Sequence, residues 1–366
     1  MTYLDRAAQI VDEIRAQGRY RYVRPQAPAG KLDFSSNDYL GLARHPQVIE
    51  AFRRATRAGS GGARLLAGNH REHSLLEEEL ADWLGRERVL LFSSGYHAAL
   101  GAIAALSRTV DCIYSDRLNH ASLIDGIRCT RIERFVYPHT ALPPREGRRR
   151  SALIVTESIF GMDGDAADLA QMVADLGDDD ALLIDEAHAL GTTGPQGTGR
   201  ARAFADPRVI VLGTLSKAFG AHGGFIAGPA PVVELLINTA RPFIFDTALP
   251  PAIALAGRIA LVLMRGADDA RSQLRANVEH TLAGLRSLGF SPNGSDSPIV
   301  PVVLGSESRA VETAAKLEAM NVIAPAIRPP TVPAGSSRLR LCIRSDHQRE
   351  HIDLLVRALA QCVAFS

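Results

Sequence analysis

Apolar residues recur along this chain with two different periods, and the switch between them divides it. Over residues 3–19 they fall at Leu4, Ala7, Ala8, Ile10, Val11 and Ile14, a helical spacing that runs out near Gly18. LDFSSNDYLGL (32–42) reads as a short strand followed by a polar turn, and HPQVIEAFRRATRAG as a helix that stops at Gly59. GSGGARLLAGNH (59–70) holds too many glycines for a helix interior and is expected to be a loop, leading into the helix HSLLEEELADWLG (73–85). From Val89 the texture becomes strand, turn and helix in repetition. VLLF precedes the helix SGYHAALGAIAAL, CIYSD precedes NHASLIDGI, and ALIVTES, ALLID, VIVLGT and GGFIAG follow as further strands. That alternation predicts an α/β fold with a mostly parallel central sheet.

After about Gly228 the pattern changes again. A helix (PVVELLINTA), the turn RPFIFDTALPP and a long helical region to about Leu288 lead to strands near 298–304 and 338–343 and a last helix, HIDLLVRALAQCVA. The expected organisation is an N-terminal helix and strand segment (1–40), a large domain with a mostly parallel central sheet (41–235) and a smaller α+β C-terminal domain (236–366).

Composition removes several function classes. With 41 Lys+Arg against 40 Asp+Glu the net charge is +1, so nothing suggests a nucleic-acid or membrane partner, and the arginine run at 148–150 reads as a solvated loop. Four widely spaced cysteines (Cys112, Cys129, Cys342, Cys362) without a CxxC argue against a disulfide framework and against a metal site, and fit a reducing cytoplasm. The N-terminal stretch is charged and amphipathic, unlike a signal peptide or a membrane span.

Candidate chemistry gathers where the strands end. Only three lysines occur among the basic residues (Lys31, Lys217, Lys316), and Lys217 stands in a glycine-rich turn between two apolar runs, VIVLG and GGFIAG. Arginine cannot serve as an amine nucleophile; a partly desolvated lysine forms a Schiff base with an aldehyde. In layered α/β sheets ligands sit beyond the carboxyl ends of the strands. Those ends carry Gly95 and Tyr96 at a helix start, His120 after CIYSD, Asp185 and His188 after ALLID, and Thr214 beside Lys217. A Schiff-base lysine, a carboxylate and nearby histidines suit pyridoxal phosphate, whose ring nitrogen needs a carboxylate partner to stay protonated. Asp185-Glu186-Ala187-His188 also spells a helicase DEAH box, but no GxxxxGK[ST] precedes it, and no GxGxxG follows the first strand of the layered region.

FSSNDYLGL, GSGGARLLAG, FSSGYHAALGAI, SDRLNHASLIDGIR, TESIFGMDGD, LLIDEAHALGTTGPQGTGR, TLSKAFGAHGG and RPPTVPAGSSRLRL, taken together and in this order, resemble the α-oxoamine synthases, pyridoxal-phosphate enzymes of fold type I. The likeness runs from about residue 32 to the C-terminus. It implies decarboxylative condensation of an acyl thioester, carried on coenzyme A or a carrier protein, with a small amino acid. Within the family RPPTVPAG points to a pimeloyl thioester, L-alanine and the biotin route, with glycine- or serine-using members as the alternative. The resemblance implies that Lys217 binds the cofactor and acts as base, that Asp185 pairs with the ring nitrogen, that His120 stacks on the ring and that His188 contacts the ring oxygen. Gly95, Tyr96 and Thr214 would line the cofactor, and Thr247 would reach the phosphate in the other subunit of an obligate homodimer with a composite active site. Asn37, Arg328 and Thr331 match substrate-side positions, Arg328 as the carboxylate clamp because its fork binds carboxylate bidentately. Where the family commonly has serine before Met-Asp-Gly, this chain has Gly161, leaving a contact to the ring oxygen missing or supplied by Ser158 or water. The arginine facing the acyl substrate stays open among Arg19, Arg21 and Arg24. The competing classes are an aminotransferase of the same fold and a non-enzymatic regulator built on it; the sequence shows no basic N-terminal module of the kind such regulators carry.

Overall fold

A computed structural model describes residues 1–21, 23, 30–144, 151–292 and 297–363; the arginine run at 148–150 and Arg24 lie outside them. The chain opens with helix α1 (Tyr3–Ala16), capped by Thr2, whose hydroxyl accepts from the Asp5 N–H, and none of its residues is buried. It ends before the expected residue 19 because Gly18 takes a positive φ of 65°. Strand β1 is only Leu32–Asp33, since Asp33 Oδ1 accepts from both the amide (2.7 Å) and the hydroxyl (2.5 Å) of Ser35 and turns the chain.

Helix α2 (Pro46–Arg53) is shorter than the periodicity suggests, because beyond Phe52 only small or charged side chains remain and no apolar face continues. Helix α3 (Arg71–Leu84) begins two residues early: His73 Nδ1 accepts from the His70 N–H at 3.0 Å and draws residues 71 and 72 into the first turn.

The layered region follows as β2 (Arg88–Phe92), α4 (Gly95–Leu106), β3 (Cys112–Asp116), α5 (Ala121–Arg128), β4 (Glu133–Tyr137), β5 (Ala152–Glu157), α6 (Leu169–Ala174), β6 (Ala181–Asp185), β7 (Val209–Thr214) and β8 (Gly224–Gly228). These strands form one seven-stranded sheet in the order β2-β8-β7-β6-β5-β3-β4. The pairs from β7 to β4 are parallel, and β8 runs antiparallel to both β7 and β2. Strand β4 goes unread because ERFVY lies at the sheet edge with four of its five residues exposed and only a three-residue apolar run, Phe135–Tyr137.

The interior strands β5, β6 and β7 are apolar at nearly every position because both faces are covered. Ile154, Leu182, Ile184, Val209 and Val211 belong to one core; Leu153, Val155, Leu183, Ile210 and Leu212 belong to the other, with α4.

The remainder comprises α7 (Ala230–Thr239), α8 (Arg241–Ile244), α9 (Pro251–Arg265), α10 (Asp268–Ser287), β9 (Ile299–Gly305), α11 (Glu307–Ala319), β10 (Val322–Ile323), β11 (Ala326–Ile327), β12 (Ser337–Cys342) and α12 (Arg349–Val363). The single helical region expected to reach Leu288 is two helices, interrupted at Gly266. A three-stranded sheet, β11-β12-β9, forms here, and β10 pairs in parallel with β1, tying the N-terminal segment to this part of the chain. Among the described residues no helix is long and apolar enough to cross a membrane, and no group of three or more His, Cys, Asp or Glu is arranged to hold a metal.

One polar knot fixes the loop after β5 that borders the sheet's carboxyl edge. His139 Nδ1 lies 2.9 Å from Asp116 Oδ1, its Nε2 lies 2.9 Å from Asp165 Oδ2, and its ring stands edge-on to Phe160. Burial alone would lower its pKa, but the two carboxylates outweigh that and lift it to about 10, so it stays an imidazolium that clamps both acids.

Candidate active site

The parallel register lines up the strand ends chemically. Glu157 at the end of β5 is paired across the sheet with Asp185 at the end of β6, while Thr214 ends β7 and the turn beyond it carries Lys217. The turn is tight: a Cβ on Gly220, whose φ is +62°, would lie 2.1 Å from the amide nitrogen of Ala43. Lys217 Nζ lies 2.8 Å from His188 Nε2, and His188 Nδ1 lies 2.7 Å from the hydroxyl of Tyr39. His188 and Tyr39 are both buried.

Desolvation sets the electrostatics here. It lowers the Lys217 amine to about 8 against the opposing pull of Asp185 and Glu157. Desolvation raises Asp185, opposed by Lys217, and it raises Glu157 to about 8 with the help of the neighbouring Asp185 charge. It also drops His188 well below the usual histidine value, reinforced by Lys217, so the ring is neutral. Desolvation thus works against charge on the lysine and on both carboxyls, and their mutual attraction is what opposes it.

Asp185 Oδ1 accepts from the Ala187 N–H at 2.9 Å, whereas Oδ2 has no hydrogen-bond partner among the described residues. A carboxylate oxygen without a donor, on a residue only 5% exposed overall, suits a cationic N–H. His120 caps α5, its Nδ1 facing the Ser122 amide at 3.2 Å and hydroxyl at 2.8 Å, and its backbone N–H donates to Glu157 Oε1 at 2.7 Å. Its pKa is lowered by desolvation, with Asp185 opposing and Lys217 reinforcing.

At the other side of the sheet edge Ser94 caps α4, whose first residues are Gly95 and Tyr96; their N–H groups fall in the first turn, where a helix offers no internal partner. A Cβ on Gly224 would lie 2.5 Å from Gly95 Cα, and one on Gly95 would touch the Thr214 side chain at 3.4 Å, so glycine keeps this wall flat. Thr214 Oγ1 contacts Ser216 Oγ at 2.8 Å and donates to the Gly223 carbonyl at 3.0 Å. The Tyr96 ring is exposed, its hydroxyl bonded to Asp125. An amine of lowered pKa, a carboxylate oxygen lacking a donor and an open helix N-terminus together fit the aldehyde, ring nitrogen and phosphate of pyridoxal phosphate.

The structure separates the remaining expected residues. Asn37 lies at the centre, its Oδ1 accepting from Arg340 Nη1 and from the Tyr39 hydroxyl, both at 3.1 Å. Arg328 instead donates to the backbone carbonyls of Gly18 and, at 3.4 Å, Tyr20, against the segment after α1. Arg21 donates nearby to the Pro329 carbonyl at 3.4 Å, and Thr331 is exposed in the turn after Arg328. Thr247 is exposed in a segment stitched to the glycine loop at 60–62: the Ala248 N–H donates to the Gly62 carbonyl at 2.9 Å, and Ser60 Oγ to the Ala248 carbonyl at 2.8 Å. Ser158 is committed elsewhere, donating to Glu186 Oε2 at 2.9 Å.

Three residues that sequence reasoning passed over complete the site: Tyr39, Glu157 and Arg340. Arg340 is buried in β12 and donates from Nε to the Gly161 carbonyl at 2.5 Å and from Nη1 to Cys342 Sγ at 2.9 Å, in addition to Asn37. None of these partners is charged, and among the described residues no carboxylate pairs with Arg340. A buried arginine without an acid, close enough to depress the Lys217 and His188 pKa values, favours an incoming anion. The signal in the sequence was RLRLC itself, two arginines at period two inside an otherwise apolar strand.

Residues 29–359 match the family model described as aminotransferase class I and II. The chain is 45% identical to the 8-amino-7-oxononanoate synthase of Hydrogenovibrio crunogenus, covering 90% of this chain and 87% of that one. It is 43% identical to the protein of the same name from Methylococcus capsulatus, over 97% and 98%. Among solved structures it superposes on serine palmitoyltransferase from S. paucimobilis with bound PLP–myriocin (TM-score 0.90, 27% identity, 100% and 99% coverage). It also superposes on 8-amino-7-oxononanoate synthase from Francisella tularensis (TM-score 0.81, 26% identity, 92% and 99% coverage).

Proposed function

We propose that this chain, which belongs to the aminotransferase class I and II family and within it to the α-oxoamine synthases of fold type I, is an 8-amino-7-oxononanoate synthase. It would join L-alanine to a pimeloyl thioester, releasing CO2 and the thiol. The observation that carries this reading is the 45% identity to a synthase of that name over nine-tenths of the chain, joined to a site whose lysine is held among Asp185, Glu157 and His188.

Pyridoxal phosphate supplies the electron sink that stabilises negative charge at the amino-acid α-carbon. Lys217 would hold its aldehyde carbon, Asp185 its ring nitrogen, His120 its ring face, His188 its ring oxygen, and the α4 N-terminus with Thr214 its phosphate end. Lys217 Nζ, with a pKa of about 8, is part neutral near neutral pH and suited to take the Cα proton of alanine and return one to the product. We assign the carboxylate clamp to Arg340 rather than Arg328, on the ground of its burial and its uncharged partners.

Arg340→Ala is expected to raise the KM for alanine by about 10- to 100-fold, the worth of a charge-assisted hydrogen bond. An unchanged alanine KM, with Arg328→Ala raising it instead, would return the clamp to Arg328.

A homodimer with a composite site is part of this reading. Its support is the exposed Thr247 in a segment that also exposes Phe245 (69%) and is stitched to the loop exposing Leu66 (82%), an apolar rim without a cover. The four cysteines form no disulfide with one another, and a reducing, cytoplasmic setting is part of the same reading.

The assay that tests the function follows carboxyl-labelled alanine with pimeloyl thioester. The expected result is one CO2 and one thiol per amino ketone formed, with glycine and serine poor substitutes. Pyruvate without CO2 or thiol release would make the chain an aminotransferase, and preference for glycine or serine would assign it to another member of the family.

A further inference from the structure

The hydrogen bonds between Arg340 and Lys217 leave no freedom of direction. Arg340 offers only donors, so the Asn37 side-chain atom facing it at 3.1 Å is the carbonyl oxygen. Tyr39 Oη is 3.1 Å from that same oxygen and has one proton, which it therefore donates there. The tyrosine oxygen, 2.7 Å from His188 Nδ1, is left to accept, so Nδ1 carries the proton of the neutral ring. Nε2 then presents a lone pair to Lys217 Nζ at 2.8 Å.

We propose that Tyr39 is a positioning residue that fixes His188 as the Nδ1–H tautomer, so that Nε2 accepts a hydrogen from Lys217 and leaves the lone pair of the neutral amine free. The opposite tautomer would donate from Nε2 into that lone pair and occupy the electrons needed to attack a carbonyl carbon or take a proton. Burial supports the arrangement: Tyr39 is fully buried and His188 is 5% exposed, so water does not compete for Nδ1 or the phenol. Gly161 leaves the ring its place, since a Cβ there would lie 2.6 Å from Nε2. Neutrality of the ring agrees with the low pKa that burial and Lys217 give it.

The inference rests on Lys217 being the reactive amine, but its test separates the two. In the cofactor-free full-length chain labelled with 15N-histidine, the His188 resonances are identified by their loss in His188→Gln. The expected spectrum shows Nδ1 protonated and Nε2 bare. In Tyr39→Phe, which keeps the ring and its packing, that preference is lost, and capture of added pyridoxal phosphate, followed by visible absorbance, slows by about 3- to 10-fold, the worth of one hydrogen bond. A wild-type chain with the proton on Nε2, or a Tyr39→Phe chain with unchanged tautomer and unchanged capture rate, overturns the proposal. Failure of the wild-type chain to take up pyridoxal phosphate at all would instead sink the functional reading, whatever the tautomer.

Discussion

Lys217→Ala is expected to lower turnover by at least about a thousand-fold, because the proposed function gives one side chain the work of both covalent anchor and base. The other two lysines offer no substitute: Lys31 pairs with Glu318 at 3.2 Å and Lys316 is exposed on α11, whereas Lys217 stands where three strand ends converge. Lys217→Arg is the sharper control. It keeps a cation between Asp185 and Glu157 but has no amine to titrate, and its turnover is expected to fall as far as that of the alanine variant. Steady-state rates with saturating alanine and pimeloyl thioester decide the point. Activity within tenfold of the parent in either variant would remove Lys217 from the chemistry.

The second large effect is expected at Asp185. Asp185→Asn keeps shape and removes the charge, so the ring nitrogen would lose the anionic partner proposed for it; turnover should fall by roughly 100-fold, comparable with removing one preorganised electrostatic contact. The same change takes away the charge that holds the Lys217 pKa up, so the free amine should titrate below about 8 in this variant. Stability moves the other way. A buried carboxylate raised by desolvation is unfavourable to the fold, and the uncharged amide is expected to leave the Tm unchanged or raise it. A variant with near-parental turnover, or one that loses activity only because it unfolds, would contradict the role given to Asp185.

The strands that build the site were legible because a sheet covered on both faces writes itself as apolar runs. ALIVTE, ALLID and VIVLGT each announce a strand and, at the last residue, a polar side chain at the functional edge. Strand β4 was hidden by the opposite circumstance, an edge position with four exposed residues. Within the site, Asp185, His188 and Lys217 could be read from local context because each follows its strand directly. Tyr39 and Arg340 could not, since their roles come from partners 149 and 303 residues away in sequence (His188 and Asn37). Glu157 was within reach: it closes an apolar strand as Asp185 does, but only the register of β5 on β6 shows that the two carboxylates stand side by side. Arg328 carried a motif that suggested a carboxylate clamp, and its contacts with the Gly18 and Tyr20 carbonyls, invisible to spacing, set it against the N-terminal segment.

The central claim is that Lys217 is the amine that carries the cofactor, and three lysines make it unusually easy to locate. The purified protein loaded with pyridoxal phosphate would be treated with borohydride, digested and mapped by mass spectrometry. The account predicts one reduced cofactor adduct per chain, on the peptide containing Lys217 and absent from Lys217→Ala. An adduct confined to Lys31 or Lys316, or a loaded protein with no adduct, would contradict it.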